Sequence, residues 1–332
     1  MLAAPAPADK LAEPLSTVSD AMYHKMLASK CGKPSTTLSQ ILPEMSADLR
    51  SKTEFILKEI RSFRRVIVAF SGGVDSTLVA YLAKLALGED AIAVTADSPS
   101  LASYELEETK RLARQIGVRQ IIVTTEELED PKYVSNPTNR CYFCKKELSQ
   151  KLKQLAAELK IPFILDGTNA DDLTGHRPGE VALSEEDVRR PLADVGMTKT
   201  EVRELAASFG LPNSDKPSMP CLSSRIQYGE IITPERLRRI ERSEMFIRSL
   251  TGVKELRVRD HGNLARVEVG REERHLFFNE ELLDKIVTAL REFGFTYVAF
   301  DLAGYRSGSM NELLTGHAKL KIERCKTTGG ES

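Results

Sequence analysis

This 332-residue sequence lacks several features of membrane proteins and of proteins that bind polyanions. It contains no run of about 18 or more apolar residues, so no segment is predicted to span a bilayer. Its formal net charge of -1 gives no electrostatic reason to expect strong non-specific binding to nucleic acid or anionic lipid. We therefore expect neither a nucleic-acid partner nor a membrane partner.

Residues 1–52 lack the basic start and apolar centre of a secretory signal. They are rich in Ala, Pro, Ser and Thr, and their early acidic residues also weigh against an organellar transit peptide. We expect a poorly structured extension on a cytoplasmic protein, and organellar targeting by this extension stays open.

Cysteine is scarce, and its number is odd in a chain without an export signal. That favours reduced thiols or metal ligands over disulfides. The five cysteines are Cys31, Cys141, Cys144, Cys221 and Cys325.

Residues 53–228 alternate between apolar strands and amphipathic helices. Val66–Phe70 is a continuous apolar run, typical of a buried parallel strand, and a glycine turn separates it from a stretch with helical spacing. Such alternation predicts an α/β domain, a parallel sheet flanked by helices, with ligands at the carboxyl ends of the strands. Further strands are expected near 91–95, 120–124 and 163–166, with helices near 104–116, 145–159 and 199–209.

Residues 229–325 have a different pattern. A charged helix near 234–250 precedes two short strands, a helix near 280–293 and a last strand near 297–301. We expect a smaller α+β domain that binds substrate phosphate or mediates oligomerisation.

A glycine-rich hexapeptide follows the first apolar strand and opens a helix. Adjacent glycines let the backbone approach a phosphate, and the helix N-terminus directs N–H groups at it. The Gly-x4-Gly-Lys-Ser/Thr pattern of kinases and motors is absent, whereas the hexapeptide resembles the PP-loop of ATP pyrophosphatases, which split ATP between the α and β phosphates. The alternative is a turn without a ligand. The predicted pyrophosphate-binding residues are Ser71, Gly72, Gly73, Val74, Asp75 and Ser76.

Carboxylates lie near this predicted phosphate site. Asp75 faces phosphates, which is repulsive unless it binds Mg²⁺ or is otherwise held in the loop. A second loop after a strand contains Thr168 and Asp171, and Lys199 opens a later helix. We expect these three residues to contribute to ATP binding, against the alternatives of an ordinary polar turn and a surface lysine.

Three of the cysteines are candidates for chemistry. Cys141 and Cys144 form a C-x-x-C pair at the start of a predicted helix, and Cys221 lies in a loop. Without a second C-x-x-C, a structural zinc site lacks its fourth ligand, whereas three cysteines suit a 4Fe–4S cluster with one open iron. Buried thiols, a redox pair and zinc are the alternatives. Cys221 is also a candidate nucleophile toward an acyl-adenylate.

Linked motifs between about Thr53 and Thr315 resemble the LarE family, the ATP-dependent sulfur transferases of nickel-pincer cofactor synthesis. These motifs are Thr95–Ser100, Asn139–Lys145, Asp166–Asp172, Cys221–Ile226 and Gly304–Glu312.

The resemblance implies that ATP adenylates a carboxylate of pyridinium-3,5-biscarboxylic acid mononucleotide and that sulfur then replaces AMP. In one branch of the family a single cysteine, here Cys221, gives up its own sulfur and becomes dehydroalanine. In the other branch three cysteines hold a 4Fe–4S cluster, and the presence of Cys141 and Cys144 favours that branch. The likeness also implies Mg²⁺ and a homo-oligomer.

The phosphate of such a mononucleotide needs cations outside the ATP loop, and guanidinium groups match phosphate oxygens. The candidate arginines are Arg225, Arg257, Arg259 and Arg306. A solvated basic face is the alternative.

Two other functions for the whole protein stay open, namely a tRNA-thiolating PP-loop enzyme and a non-catalytic ATP-binding module.

Overall fold

The computed structural model describes residues 45–174, 188–217, 220–306 and 309–311. Most of the expected N-terminal extension, including Cys31, lies outside the described residues, as does Cys325. Within these ranges, no helix has both the length and the apolar character needed to cross a membrane.

The larger unit is built on a four-stranded parallel sheet of order β3-β2-β1-β4, which confirms the predicted α/β class. Helices connect strands that are successive in the chain and cover both faces of the sheet. Its strands are β1 (Val66–Ala69), β2 (Ala91–Asp97), β3 (Arg119–Thr124) and β4 (Phe163–Leu165). Its helices are α1 (Ala47–Phe63), α2 (Val74–Leu87), α3 (Ser103–Ile116), α4 (Pro131–Val134), α5 (Arg140–Leu159), α6 (Pro191–Asp194) and α7 (Lys199–Ser208).

Strand β1 lies in the middle of this sheet because its apolar side chains are buried on both faces. Val66 and Val68 pack with α1, α2 and α7, whereas Ile67 packs on the other side against Leu152 of α5. This two-sided burial is the reason that the strand has a continuous apolar run. It fixes the loop after β1 at the centre of the carboxyl edge of the sheet.

The sequence patterns do not predict the first helix. Helix α1 begins at Ala47, inside the stretch predicted to be a poorly structured extension. The Ser46 side chain accepts a hydrogen bond from the Leu49 N–H at 3.2 Å, and Leu49 and Thr53 are buried. The cap and these buried contacts make residues 47–52 part of the folded unit.

The smaller unit contains a three-stranded mixed sheet of order β5-β6-β7. Strands β5 and β6 are antiparallel, and β6 and β7 are parallel. A separate apolar core lies between this sheet and two helices. The elements are α8 (Pro234–Thr251), β5 (Leu256–His261), β6 (Leu264–Val269), α9 (Glu280–Glu292) and β7 (Tyr297–Phe300).

The two units meet around a short 3-10 turn, Leu222–Arg225, which follows directly after Cys221. Leu222 packs in a shared apolar cluster with Tyr133 of the first unit and Leu237 of α8. A single β-bridge pairs Ile226 with Asp260 of β5. The predicted cysteine loop therefore lies at the junction of the two units.

Candidate active site

The loop between β1 and α2 has the geometry of an anion cradle. Gly72 adopts φ 70°, and a Cβ added there would lie 2.9 Å from Thr109 Cγ2, so glycine is required at this position. Gly73 is the N-cap residue of α2 and has no side chain to cap it, which leaves the first N–H groups of this 14-residue helix for a ligand. Val74 is buried and anchors the first turn in the core.

Two serine hydroxyls hold the loop in shape. Ser76 Oγ donates to the Gly73 carbonyl at 3.2 Å and accepts from the Ser71 N–H at 3.2 Å. The hydroxyl oxygens of Ser71 and Ser76 are 3.1 Å apart. The predicted hexapeptide is therefore one hydrogen-bonded turn at the carboxyl edge of the sheet.

The Asp75 carboxylate is held by a cation and an amide. Lys199 Nζ forms an ion pair with Asp75 Oδ2, and Asn169 Nδ2 donates to Asp75 Oδ1 at 3.0 Å. The Lys199 backbone N–H donates to Asp171 Oδ2 at 2.8 Å. The structure thus brings Asp75, Asp171 and Lys199 together, although they are far apart in sequence.

The second predicted loop packs directly on the N-terminus of α2. A Cβ on Gly167 would lie 2.6 Å from the Ser76 backbone nitrogen, so only glycine permits this approach. The Asp166 carboxylate accepts from the Thr168 N–H at 2.9 Å and from its hydroxyl at 3.0 Å. Thr168 is almost fully buried and fixes the turn from within.

A pocket of about 460 Å³ opens above these loops. That volume falls in the range of small-molecule sites. The polar residues that line it come from both predicted loops and from the cysteine segments, and they include Ser71, Asp75, Ser76, Asp172, Lys199, Cys144 and Cys221.

The three predicted cysteines converge on one region. Cys221 and Cys144 line the pocket, and Cys141 lies one turn earlier on α5. Burial and then charge on Cys221 raise the pKa of the Cys144 thiol. Cys141 is exposed as a residue, yet its sulfur is partly desolvated, and this burial together with charge on Cys221 raises its pKa as well.

Convergence of the thiols does not by itself form a metal site. In the part of the chain that the structure describes, no group of three or more His, Cys, Asp or Glu side chains is placed to hold a metal ion. The described arrangement therefore does not fit a preformed iron–sulfur site, and the cluster stays a prediction. Magnesium bound with ATP needs fewer ligands from the protein, because phosphate oxygens and water supply most of them.

Arg225 lies in a buried ion pair directly behind Cys221. Its Nε donates to Glu244 Oε1 at 2.9 Å and its Nη2 to Glu244 Oε2 at 3.1 Å. Its Nη1 donates to the Cys221 carbonyl at 3.0 Å. Burial would raise the pKa of Glu244, but Arg225, assisted by Arg248 and Arg257, outweighs it and lowers the pKa to about 2.

The other predicted arginines belong to the smaller unit. The buried Arg257 guanidinium lies 5.0 Å from the ring centre of Tyr305, and Arg306 Nη1 donates to the Gly304 carbonyl at 3.0 Å. Arg259 is paired with Glu268 at 2.8 Å. Of the four, Arg225 lines the pocket described above. Binding of substrate phosphate by these arginines stays a prediction.

Two further residues at this pocket were not predicted. Lys216 lines the pocket and pairs with Glu105 at 2.7 Å, close to the Gly72 carbonyl. Glu127 is buried behind the pocket-lining Ser98 and Ser100. Ser98 and Ser100 belong to the Thr95–Ser100 motif, which indicated a role for this loop. Neither Lys216 nor Glu127 is part of a sequence motif that could have indicated its place at the site.

Several known proteins are similar to this chain in sequence. A family model described as NAD synthase matches residues 49–136. An uncharacterized protein of Synechocystis sp. is 46% identical over 267 residues, which cover 80% of this chain and 99% of that protein. The pyridinium-3,5-bisthiocarboxylic acid mononucleotide synthase of Lactiplantibacillus plantarum is 36% identical over 272 residues, or 81% of this chain and 97% of the synthase.

A more distant similarity covers part of the chain. One subunit of the glutamine-hydrolyzing GMP synthase of Archaeoglobus fulgidus is 29% identical over 217 residues, which make up 60% of this chain and 70% of that subunit.

The parallel sheet, the glycine-rich loop at its carboxyl edge and these similarities define an enzyme of the PP-loop class. Its similarity to the synthase from Lactiplantibacillus plantarum extends over nearly the whole of that protein. The chain belongs to the LarE family, and the expected resemblance is confirmed.

Proposed function

We propose that this enzyme is an ATP-dependent sulfur transferase that converts a carboxylate of pyridinium-3,5-biscarboxylic acid mononucleotide into a thiocarboxylate. The observation that carries the proposal is that the PP-loop and Cys221 line the same pocket. A site that binds ATP and a thiol within one cavity has the parts for activation of a carboxylate and for its capture by sulfur. The relative from Lactiplantibacillus plantarum, by its name, makes the corresponding bisthiocarboxylic acid mononucleotide.

The first step is adenylation. The uncapped N-terminus of α2 binds the β and γ phosphates, and Lys199 adds a cation at the same place. A substrate carboxylate oxygen attacks the α-phosphorus, the bond to the bridging oxygen breaks, and pyrophosphate leaves with the negative charge. Asp75 would hold Mg²⁺ together with the phosphates, and the ion would neutralise charge on this leaving group.

The second step is transfer of sulfur. In its simplest form the Cys221 thiolate attacks the acyl-adenylate carbonyl, a thioester forms and AMP leaves. Loss of the Cys221 α-proton and cleavage of its Cβ–Sγ bond then give the thiocarboxylate and dehydroalanine. The alternative is a 4Fe–4S cluster, which Cys141, Cys144 and Cys221 would hold; it would be the sulfur source, and Cys221 would then keep its own sulfur.

The substrate phosphate is proposed to bind near Arg225, Arg257 and Arg306. Supporting this, three guanidinium groups, those of Arg225, Arg248 and Arg257, lie close enough to Glu244 to lower its pKa, and Arg225 also donates a hydrogen bond to the Cys221 carbonyl. A phosphate group is an anion of the size and charge that such a region attracts.

Self-association is also proposed. The smaller unit exposes large apolar side chains, with Phe278 and Leu302 each 77% accessible and Tyr297 63% accessible. Exposed apolar surface of this kind is common at protein interfaces. Light scattering of the purified protein measures the subunit number.

Pyrophosphate release tests the proposal. We expect release from MgATP when the pyridinium mononucleotide is added, and background release with bulk tRNA or with no acceptor. Release stimulated by tRNA alone would favour a tRNA-thiolating enzyme, and ATP binding without turnover under every condition would favour a binding module.

The sulfur source is tested on protein purified without oxygen. Iron and an iron–sulfur absorption spectrum that are lost in Cys141→Ala support the cluster. Iron-free protein that turns over once, with Cys221 converted to dehydroalanine, supports sacrifice of Cys221 and contradicts the cluster.

A further inference from the structure

A buried carboxylate lies behind the pocket wall, in a place that the reaction steps above leave without a role. Glu127 is 1% exposed and follows β3 in the 3-10 turn Glu127–Glu129. Its carboxylate accepts hydrogen bonds from three hydroxyl groups. Within the described ranges, no Lys, Arg or His side chain forms an ion pair with it.

The three hydroxyls join the ends of two strands. Ser98 and Ser100, in the loop after β2, both donate to Glu127 Oε1, the second at 2.9 Å. Thr125, directly after β3, donates to Glu127 Oε2 at 2.7 Å. These three hydrogen bonds to one carboxylate fix both loops relative to each other.

This cluster continues to the reactive cysteine. The Ser100 carbonyl accepts a hydrogen bond at 2.8 Å from the N–H of Leu222, the residue after Cys221. The hydroxyl of buried Tyr133, which lies in α4 just after the 3-10 turn that contains Glu127, is 2.6 Å from Ser223 Oγ in the same short turn as Leu222. Both anchors of the turn thus come from segments adjacent to the Glu127 cluster.

We propose that Glu127 is a positioning residue for Cys221, acting through Ser100 to hold the cysteine turn at the pocket for transfer of sulfur. The inference rests on the proposed function. The PP-loop is held by its own serine hydrogen bonds and by Asn213, which donates to the Gly72 carbonyl at 3.1 Å. Glu127 is therefore expected to matter for the second step and not for the first.

Adenylation and sulfur transfer can be measured separately, as two half-reactions. In Glu127→Gln we expect ATP–pyrophosphate exchange, measured with the pyridinium mononucleotide, to stay within about twofold of wild type. We expect the rate constant for thiocarboxylate formation in a single turnover to fall at least about tenfold, with little change in the mononucleotide concentration that gives half of the maximal rate, since displacement of a reacting group lowers the rate more than it lowers binding. Glu126→Gln is the matched control, because the neighbouring carboxylate is exposed and pairs with Lys151 at 3.1 Å.

The outcomes are distinct. Absence of exchange in the wild-type enzyme would contradict the proposed function itself. Normal exchange with slow transfer in Glu127→Gln supports the positioning role. Equal loss of both half-reactions, or transfer at the wild-type rate, overturns it. If Glu127→Gln does not fold, Ser100→Ala removes the hydroxyl that donates to Glu127 and keeps the Ser100 carbonyl, and the same readouts apply to it.

Discussion

Arg225 and Glu244 form a two-point ion pair in the junction between the two units, with Nε–Oε1 and Nη2–Oε2 distances of 2.9 Å and 3.1 Å. Both side chains are almost completely buried. Removal of one partner leaves a buried charge, so Arg225→Ala is expected to lower the free energy of unfolding by about 3–5 kcal/mol.

The exposed pair between Arg238 and Glu235 is the control for this prediction. Arg238→Ala is expected to cost less than about 1 kcal/mol, because solvent screens such a pair. Urea unfolding at pH 7 measures both variants. Similar small losses in both would show that the Arg225 pair does not hold the junction together.

The lowered pKa of Glu244 also predicts how the free energy of unfolding changes at low pH. Its folded-state pKa is lowered from 4.5 to about 2, so its contribution is present above the unfolded-state pKa and is lost as pH falls from about 4.5 to 2. This shift corresponds to about 3 kcal/mol. Glu244→Gln should remove that part of the pH dependence, and unfolding curves recorded at several pH values measure it. Parallel acid profiles for wild type and variant would exclude Glu244 as a source.

Gly72, in the loop before α2, and Gly88, directly after α2, offer a matched pair of substitutions. Both glycines have positive φ, 70° and 61°, but an added Cβ meets Thr109 at Gly72 and nothing within 4 Å at Gly88. Gly72→Ala is expected to weaken ATP binding at least about tenfold, since the loop must shift to relieve the contact. Gly88→Ala should lose about 1 kcal/mol of stability and keep ATP affinity. Calorimetric titration with MgATP distinguishes the two, and equal affinities would contradict a role for the loop geometry.

Lys199 is expected to contribute a charge to the phosphate site. Lys199→Met should raise the Kd for MgATP by about tenfold or more, because a charge-assisted contact is lost. Lys52→Met is the control, since Lys52 pairs with Glu201 of the same helix α7 at 2.6 Å outside the lining of the pocket. Titration of both variants provides the comparison, and an unchanged Kd in Lys199→Met would remove this residue from the ATP site.

Much of the fold follows from local sequence patterns. The apolar run that begins at Val66, the glycines after it and the alternation of strands with helices were sufficient to predict the parallel sheet and the place of the phosphate loop. These features are readable because burial on both faces and positive φ each restrict the residue types allowed. Start positions of helices are predicted less accurately, since caps and tertiary contacts decide them; α5 begins at Arg140, whereas the sequence pattern puts its start near residue 145.

Contacts between residues far apart in the chain could not be predicted from the sequence. Nothing in the segment around Arg225 indicates that Glu244 neutralises it, and Glu127 resembles an ordinary acidic residue of a loop until the fold surrounds it with hydroxyls. Lys216 is similar, because its place at the pocket depends on contacts with Glu105 and the Gly72 loop. Such pairings arise from tertiary packing rather than from spacing along the chain.

The central claim, that the ATP loop and Cys221 serve two steps of one reaction, is tested most directly with Cys221→Ser. Wild-type and variant proteins would be incubated with MgATP and the pyridinium mononucleotide, and pyrophosphate and thiocarboxylate would be measured on the same samples. We predict that Cys221→Ser releases pyrophosphate but forms no thiocarboxylate. Thiocarboxylate formed at the wild-type level by Cys221→Ser would contradict the account.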